Sequence, residues 1–179
     1  MPAHKPSLSW LQNLSCVILM TRIEFTPIGI VHTPFHDPRD MPIQPVGARG
    51  VRGTVELNPG CAPGLKDIEG FSRIILLYHF HRSEGYSLEV VPFLDARPHG
   101  VFATRAPRRP NAIGLSILRL VAVDGAALIV EDVDILDGTP VLDIKPYVPA
   151  FDAYPDERSG WLAETAKDPG SVRSDDRFC

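Results

Sequence analysis

A chain of 179 residues, 44% of them hydrophobic, is long enough for one well-buried core and too short for two comfortable domains. Its formal net charge of −4 argues against binding nucleic acid by overall charge, so any such contact needs a local basic face. The three cysteines, Cys16, Cys61 and Cys179, form no CxxC pair, which suggests neither a disulfide framework nor a thiolate metal site and fits a cytoplasmic location.

The first distinctive segment is the apolar run LSWLQNLSCVILM at residues 7–19. It is too short to span a bilayer, and no clear small-x-small cleavage signal follows it. We therefore expect residues 1–22 to be an N-terminal extension, and we expect no membrane association. The motif-bearing region then begins near Ile23.

Short strands separated by proline and glycine dominate the rest of the chain. Their spacing predicts a mainly β protein, a barrel or sandwich, rather than alternating βαβ units. The run at residues 71–81 is mostly apolar, which predicts a central strand buried on both faces. The other candidate strand regions are residues 23–33, 51–57, 86–94 and 141–149.

The clearest supersecondary signal lies at residues 117–136, where two alternating runs flank Asp124-Gly125. This dipeptide tolerates the positive φ of a tight turn, so we predict a hairpin with one polar side. No stretch has a long helical period, although residues 159–167 can form a short helix. The polar residues 168–179 are predicted to be disordered. The GxxGxxG spacing around residue 50 lacks a strand-to-helix context, so no doubly wound domain is expected.

Charge is arranged in two adjoining blocks. Residues 96–123 contain five arginines and no acidic residue, whereas residues 124–143 contain six acidic residues and neither lysine nor arginine. The blocks can pair with each other or can hold opposite ends of a zwitterionic ligand. Composition does not choose between these two interpretations.

Three groups of polar residues are candidate binding positions. Gln44 lies between two prolines, which indicates either an ordinary loop or a rigid rim with an amide that can bind a ligand. Arg105 follows a short apolar approach, and its guanidinium suits a carboxylate or a phosphate. Asp134 and Asp137 serve either the turn alone or the hydroxyl or ammonium groups of a ligand.

Two histidines follow the apolar run 71–78. His79 and His81 would face the same side of a continuing strand, so a metal pair is conceivable, but no third ligand lies at a recognisable spacing. Hydrogen-bonded histidines at a strand end are the more ordinary interpretation. The end of a buried strand is also a common place for binding residues.

Several of these segments occur together, and in order, in one known family. IGIVHTPF, PIQP, GFSRIILLYHFHRS, GVFATRAPRRPNAIGLS and LDGTPVLDIKPYVP strongly resemble the TsaA-like family, also called TrmO-like or YaeB-like. The resemblance covers about residues 23–155 and implies a single compact β-barrel with short helical segments, which leaves residues 156–179 as a polar C-terminal tail. It also implies a homodimer that uses S-adenosylmethionine to methylate the exocyclic nitrogen of threonylcarbamoyl-adenosine beside the tRNA anticodon.

Carried over by motif, the resemblance places S-adenosylmethionine against eleven residues: Gln44, Pro45, Val46, His81, Arg82, Arg105, Leu115, Asp134, Ile135, Leu136 and Asp137. The basic block would hold the carboxylate of this cofactor and face RNA phosphates, while the acidic turn would take its hydroxyl or amino groups. No metal is required, and His81 is the available candidate for a catalytic base.

The methyl acceptor is less well defined than the cofactor. Longer members of the resembled family continue into a second domain that helps to engage tRNA, so the resemblance supports the barrel and the cofactor site more strongly than the RNA substrate. Two alternatives stay open: a methyltransferase that acts on a small molecule, and a module that binds S-adenosylmethionine without catalysis.

Overall fold

The computed structural model describes residues 22–165 and 168–178. Apart from Arg22, the predicted N-terminal extension lies outside the described residues, as do Cys16 and Cys179. The strands are β1 (Gly29–His32), β2 (Arg52–Leu57), β3 (Arg73–His79), β4 (Glu89–Val90), β5 (His99–Gly100), β6 (Ile113–Asp124), β7 (Ala127–Glu131) and β8 (Thr139–Pro146).

Six of these strands close a barrel in the order β1-β2-β7-β6-β3-β8, with every neighbouring pair antiparallel. The predicted barrel is thus confirmed. In β3, Ile74, Leu76 and Tyr78 point inwards and are buried, whereas Ile75 and Leu77 point outwards and are half-buried. The expectation that this strand is buried on both faces is wrong, because only the inner face of an antiparallel barrel strand meets the core.

The interior of the barrel is filled by side chains. Val31, Val55, Ile74, Leu118 and Val130 are fully buried there. Burying each of these side chains stabilises the fold by about 1.5–3 kcal/mol. Because a barrel of six strands is narrower than the eight-stranded barrels that side chains can just fill, a ligand site has to lie at its end.

The predicted hairpin is formed by β6 and β7. Asp124 pairs with Ala127, so the loop is Gly125-Ala126, one residue later than predicted. Gly125 has a φ of +59°, which glycine adopts without steric cost. Arg119 lies opposite Glu131 on the outer face, as expected for a polar side.

A smaller sheet lies outside the barrel, where β4 pairs with β5. Only two residues of the predicted strand at 86–94 are in β structure, because Pro92 cannot donate to a strand ladder. Val90, Val101 and Ala106 are buried together in a small second core, and Phe178 packs against them.

The C-terminal segment 168–178 packs against these loops. Ser174 N donates to Met41 O at 2.9 Å, and Ser174 Oγ donates to Pro38 O at 2.6 Å. Phe178 meets Phe93 edge-on, with ring centroids 5.2 Å apart. The prediction of disorder is therefore wrong. The segment is polar in composition, but a few hydrogen bonds and the ring of Phe178 are sufficient to hold it against the loops.

Helical structure is short throughout the described ranges. The only α-helix in them is α1 (Pro149–Asp152), and the 3₁₀-helix Gly160–Glu164 covers part of the predicted short helix. The remaining 3₁₀-helices are Pro45–Ala48, Pro59–Leu65, Ile68–Gly70, Val101–Ala103 and Asp176–Phe178. In residues 22–165 and 168–178, no helix has the length and apolar character needed to cross a membrane.

Candidate functional site

A cleft of about 1170 Å³ opens at one end of the barrel. The loop after β3, the loop before β6 and the loop between β7 and β8 meet there, because these strands run antiparallel to their neighbours. Residues of the 38–46 loop and of the C-terminal segment also line the cleft. The volume is sufficient for a ligand of drug size, a nucleoside included.

Ten of the eleven predicted cofactor residues line this cleft: Gln44, Pro45, Val46, His81, Arg82, Arg105, Leu115, Asp134, Ile135 and Leu136. They come from five separate stretches of the chain, at residues 44–46, 81–82, 105, 115 and 134–136. The barrel therefore brings together residues that the motifs suggested only one by one.

Arg105 and Gln44 are in direct contact in the cleft. Arg105 Nη1 donates a hydrogen bond to Gln44 Oε1 at 3.1 Å. Arg105 directly follows a turn that is held by a hydrogen bond from the Thr104 hydroxyl to Val101 O, at 2.9 Å. The guanidinium is exposed and carries five N–H donors, so this single bond leaves it able to bind a carboxylate.

A chain of hydrogen bonds runs from the floor of the cleft into the core. Ser116 Oγ donates to Asp134 Oδ1 at 2.6 Å, and the Tyr78 hydroxyl lies 3.1 Å from Ser116 Oγ. Since the one proton of Ser116 goes to the carboxylate, Tyr78 donates the second bond. Burial raises the pKa of Asp134 to about 6, against the Ser116 bond and the charge of Arg105, which both lower it. Burial also raises the pKa of Tyr78.

Gly114 makes this arrangement sterically allowed. It pairs with Tyr78 across β3 and β6, and a Cβ at this position would collide with the Tyr78 ring. Without a side chain at Gly114, the ring crosses the neighbouring strand and its hydroxyl reaches Ser116. The glycine of the motif NAIGLS is thus required for close approach rather than for backbone conformation.

The segment that carries Asp134 is tied to the end of β1. The Thr33 hydroxyl donates to Ile135 O at 2.8 Å, and Thr33 N donates to Asp137 Oδ1 at 3.0 Å. The side chain of Asp137 therefore points away from the cleft, towards His32 and His36, whose Nδ1 atoms lie 3.6 and 3.4 Å from its carboxylate. The structure thus does not bring Asp137 to the other predicted site residues.

The two histidines near the end of β3 separate. The strand ends at His79, which is exposed, and His81 N donates to His79 O at 2.8 Å, so the chain turns there. His81 enters the cleft, and its Nδ1 lies 3.3 Å from Thr139 Oγ1. No three His, Cys, Asp or Glu side chains of the described ranges are placed to hold a metal ion.

The protonation of His81 follows from its neighbours. Thr139 Oγ1 donates its own proton to Leu136 O at 2.6 Å, so it accepts from His81 Nδ1. Burial, together with the charge of Arg82, lowers the pKa of His81. A neutral imidazole with its proton on Nδ1 has a lone pair on Nε2.

Sequence reasoning missed two parts of the site. The first is the pair Tyr78 and Ser116, of which Ser116 gave one signal: it is a polar residue in the inward phase of an alternating strand. The second is an aromatic wall, to which Trp161 and Phe178 contribute from outside the recognised motifs. Phe178 is the only aromatic residue at positions 168–178, and that was its only signal.

The closed barrel with a charged cleft at one end defines a class of β-barrel ligand-binding domains, distinct from doubly wound nucleotide-binding folds. Within that class, the chain belongs to the family described as the tRNA-methyltransferase O N-terminal domain, whose model matches residues 30–153. The resemblance to TrmO-like proteins is thus confirmed. Residues 159–165 and 169–178, which contribute to the wall of the cleft, lie outside the matched range.

Individual relatives agree with this assignment. A probable S-adenosyl-L-methionine-binding protein of Pyrococcus abyssi is 53% identical over 162 residues, which cover 90% of this chain and 88% of that protein. The tRNA (adenine(37)-N6)-methyltransferase of Mus musculus is 38% identical over 136 residues. The crystal structure of TrmO from Pseudomonas aeruginosa superposes with a TM-score of 0.66 at 40% identity over 78% of this chain.

The extent of the match differs between these relatives. This chain spans 62% of the crystallised TrmO and 31% of the mouse methyltransferase. It therefore corresponds to most of the Pyrococcus abyssi protein but to less than two thirds of the crystallised TrmO or of the mouse methyltransferase.

Proposed function

We propose that the protein is a methyltransferase that uses S-adenosylmethionine and acts on the exocyclic nitrogen of threonylcarbamoyl-adenosine beside the tRNA anticodon. The observation that carries the proposal is the convergence of Arg105, Gln44 and Asp134 in one cleft of a TrmO-family barrel. We also propose a cytoplasmic location, where tRNA is available.

The donor set of the cleft fits S-adenosylmethionine. The Arg105 guanidinium suits the carboxylate of this cofactor, and Asp134 suits its ammonium or hydroxyl groups. The half-buried carboxyl of Asp134 is the stronger indication: burial raises its pKa, and a cationic ligand in the cleft would stabilise its ionised form. We propose that the ten lining residues bind the cofactor and that Asp137 acts indirectly, by holding the 134–137 segment through Thr33.

When bound, the cofactor supplies a methyl group on a sulfonium centre, ready for in-line attack by a nitrogen. The residues of the cleft orient the acceptor and exclude water. His81 is the candidate base for the proton of that nitrogen, since its Nε2 lone pair is available on a neutral ring.

tRNA as the acceptor is supported by the relatives and by the charge at the mouth of the cleft. The mouse relative carries tRNA (adenine(37)-N6)-methyltransferase as its name, and Arg82, Arg105 and Arg109 line the cleft. Arginine side chains in this position suit RNA phosphates despite the net negative charge of the whole chain.

The test combines calorimetry with S-adenosylmethionine, a methyl-transfer assay on tRNA, and mass spectrometry of tRNA nucleosides from a deletion strain. We expect binding, transfer to tRNA, and loss of the methylated nucleoside in the deletion strain. Binding without transfer to any tRNA and with no missing nucleoside would favour the non-catalytic module. Transfer to a small molecule alone would replace the RNA substrate.

We also propose a homodimer. On the outer face of the barrel, Ile75 lies opposite Ile117 and Leu77 lies opposite Leu115, next to Ile113. Ile113 and Leu115 are 39% and 43% exposed and line the rim of the cleft, so a second copy on this face would also border the site. Light scattering at micromolar concentration should give about twice the chain mass, and Ile117→Lys should give the monomer. A strictly monomeric native protein that still binds the cofactor would contradict the dimer.

A further inference from the structure

An exposed aromatic ring lies at the mouth of the cleft. Phe102 is 76% exposed and lines the cleft, whereas its neighbour Val101 is fully buried. Single exposed apolar residues are common, so exposure alone carries no argument. What distinguishes Phe102 is its rigid support and its place three residues before Arg105.

The turn that carries Phe102 is fixed from below by Arg109. Arg109 Nη1 donates to Val101 O at 3.1 Å and to Thr104 O at 2.8 Å. The guanidinium carbon of Arg109 lies 5.9 Å from the centroid of the Phe102 ring. A fixed cation therefore lies on one side of the ring while most of its surface stays exposed to solvent.

The same turn is fixed from the side by Trp161. Trp161 Nε1 donates to Ala103 O at 2.8 Å. The indole stacks on His99, with ring centroids 4.5 Å apart and an interplanar angle of 19°, and His99 Nε2 lies 3.0 Å from Asp95 Oδ2. Phe102 is thus presented on a preorganised turn, which lowers the entropy cost of binding a flat ligand.

We propose that the open face of Phe102 stacks on the acceptor base, an adenine unstacked from its neighbours in RNA. This inference rests on the proposed function and adds the site of the acceptor to it. A base is the occupant that the surroundings favour, because the ring lies beside the guanidinium of Arg109 and because Arg82 and Arg105 line the same cleft, so the adjoining phosphates would find positive charge there. The stacked base would lie beside the ten residues proposed to bind the methyl donor.

The test uses two anticodon stem–loop RNAs, one carrying threonylcarbamoyl-adenosine beside the anticodon and one with an abasic site at that position. Their dissociation constants are measured with the native protein and with Phe102→Ala. We expect Phe102→Ala to weaken binding of the first RNA about 5- to 150-fold and to leave binding of the abasic RNA unchanged. Phe102→Tyr should bind both RNAs like the native protein.

Phe151→Ala is the matched control, because Phe151 is 62% exposed on α1 and does not line the cleft. An unchanged affinity for S-adenosylmethionine shows that Phe102→Ala is folded. If Phe102→Ala does not fold, Phe102→Leu replaces it, because leucine keeps most of the apolar volume and removes the flat ring. Phe102→Leu should likewise weaken binding of the base-containing RNA and leave binding of the abasic RNA unchanged.

Two results would overturn the inference: equal weakening of both RNAs by Phe102→Ala, or no weakening of either. Failure of the proposed function has a different signature, since the native protein would then neither methylate nor bind the base-containing RNA. The two failures are therefore separated by the native protein alone.

Discussion

The guanidinium of Arg105 lies 3.1 Å from Gln44 Oε1, and this contact joins two residues that are 61 positions apart in the chain. The contact crosses the mouth of the cleft between the loop before β6 and the 3₁₀-helix Pro45–Ala48. A cofactor carboxylate bound by this guanidinium would therefore be held at a point that two separate loops determine.

Replacing Arg105 should weaken cofactor binding. Arg105→Ala is expected to lower the affinity for S-adenosylmethionine by about 1.5–3 kcal/mol, which is tenfold to over a hundredfold. Arg105→Lys should recover part of this, because an ammonium lacks the planar fork. Calorimetric titration measures both variants, with Arg119→Ala on the outer face of β6 as the control. Native affinity in a folded Arg105→Ala protein would remove this residue from the site.

Asp134→Asn should stabilise the protein at neutral pH. Because the folded-state pKa of Asp134 is raised to about 6, the unfolded chain loses this proton first as the pH rises. The Asp134 contribution to the free energy of unfolding therefore decreases between about pH 4 and pH 6, by up to about 3 kcal/mol. Asparagine carries no ionisable group, so the variant does not lose stability in this pH range.

Urea unfolding of the native protein and of Asp134→Asn at pH 4 and pH 7.5 measures this difference. The variant should be the more stable protein at pH 7.5 and should lose its advantage at pH 4, while its affinity for S-adenosylmethionine falls. Equal stability differences at the two pH values would show that the Asp134 carboxyl titrates normally.

Gly114→Ala should destabilise the barrel by about 1–3 kcal/mol, since the new methyl group would collide with the Tyr78 ring. The pair is tested by a double-mutant cycle in chemical denaturation. Tyr78→Ala removes the ring, so the additional cost of Gly114→Ala should nearly vanish in that background. If the losses of stability of the two single variants simply added in the double variant, the methyl group would not be colliding with the Tyr78 ring.

Ser174→Ala should loosen the attachment of the C-terminal segment to the cleft wall. The hydroxyl donates to Pro38 O at 2.6 Å and accepts from Met41 N at 2.9 Å, next to the loop that leads to Gln44. We expect faster cleavage of the segment by carboxypeptidase and a several-fold weaker affinity for S-adenosylmethionine. Ser171→Ala is the control, because the hydrogen bond that its hydroxyl makes among the described residues stays within its own turn, to Asp168 O. Identical cleavage rates for the two variants would show that Ser174 does not anchor the segment.

The barrel strands could be predicted from the sequence because alternation is a local property. The residues of β3 and β6 that point into the barrel are apolar or small. Their alternation with outward residues is visible in the sequence even when the neighbouring strand is unknown. The hairpin loop was misplaced by one residue, since Asp124 and Gly125 both suit a turn and only the pairing of Asp124 with Ala127 decides between them.

The site was predictable as a set of positions but not as a set of contacts. Asp134 and Asp137 lie in one short acidic turn, yet one faces Ser116 in the cleft and the other faces Thr33. Spacing does not determine these directions outside regular structure. The bond between Tyr78 and Ser116 likewise depends on the register of β3 against β6, which places Gly114 beside the ring.

The closed order of the barrel restricts how partners can associate with it. Each of its six strands has a neighbour on both sides, so none offers an unpaired edge to which a foreign strand could add. A second copy or an RNA that meets the barrel has to be recognised by side chains and loops. Substitutions of single outward residues such as Ile117 can therefore alter association without breaking a backbone ladder.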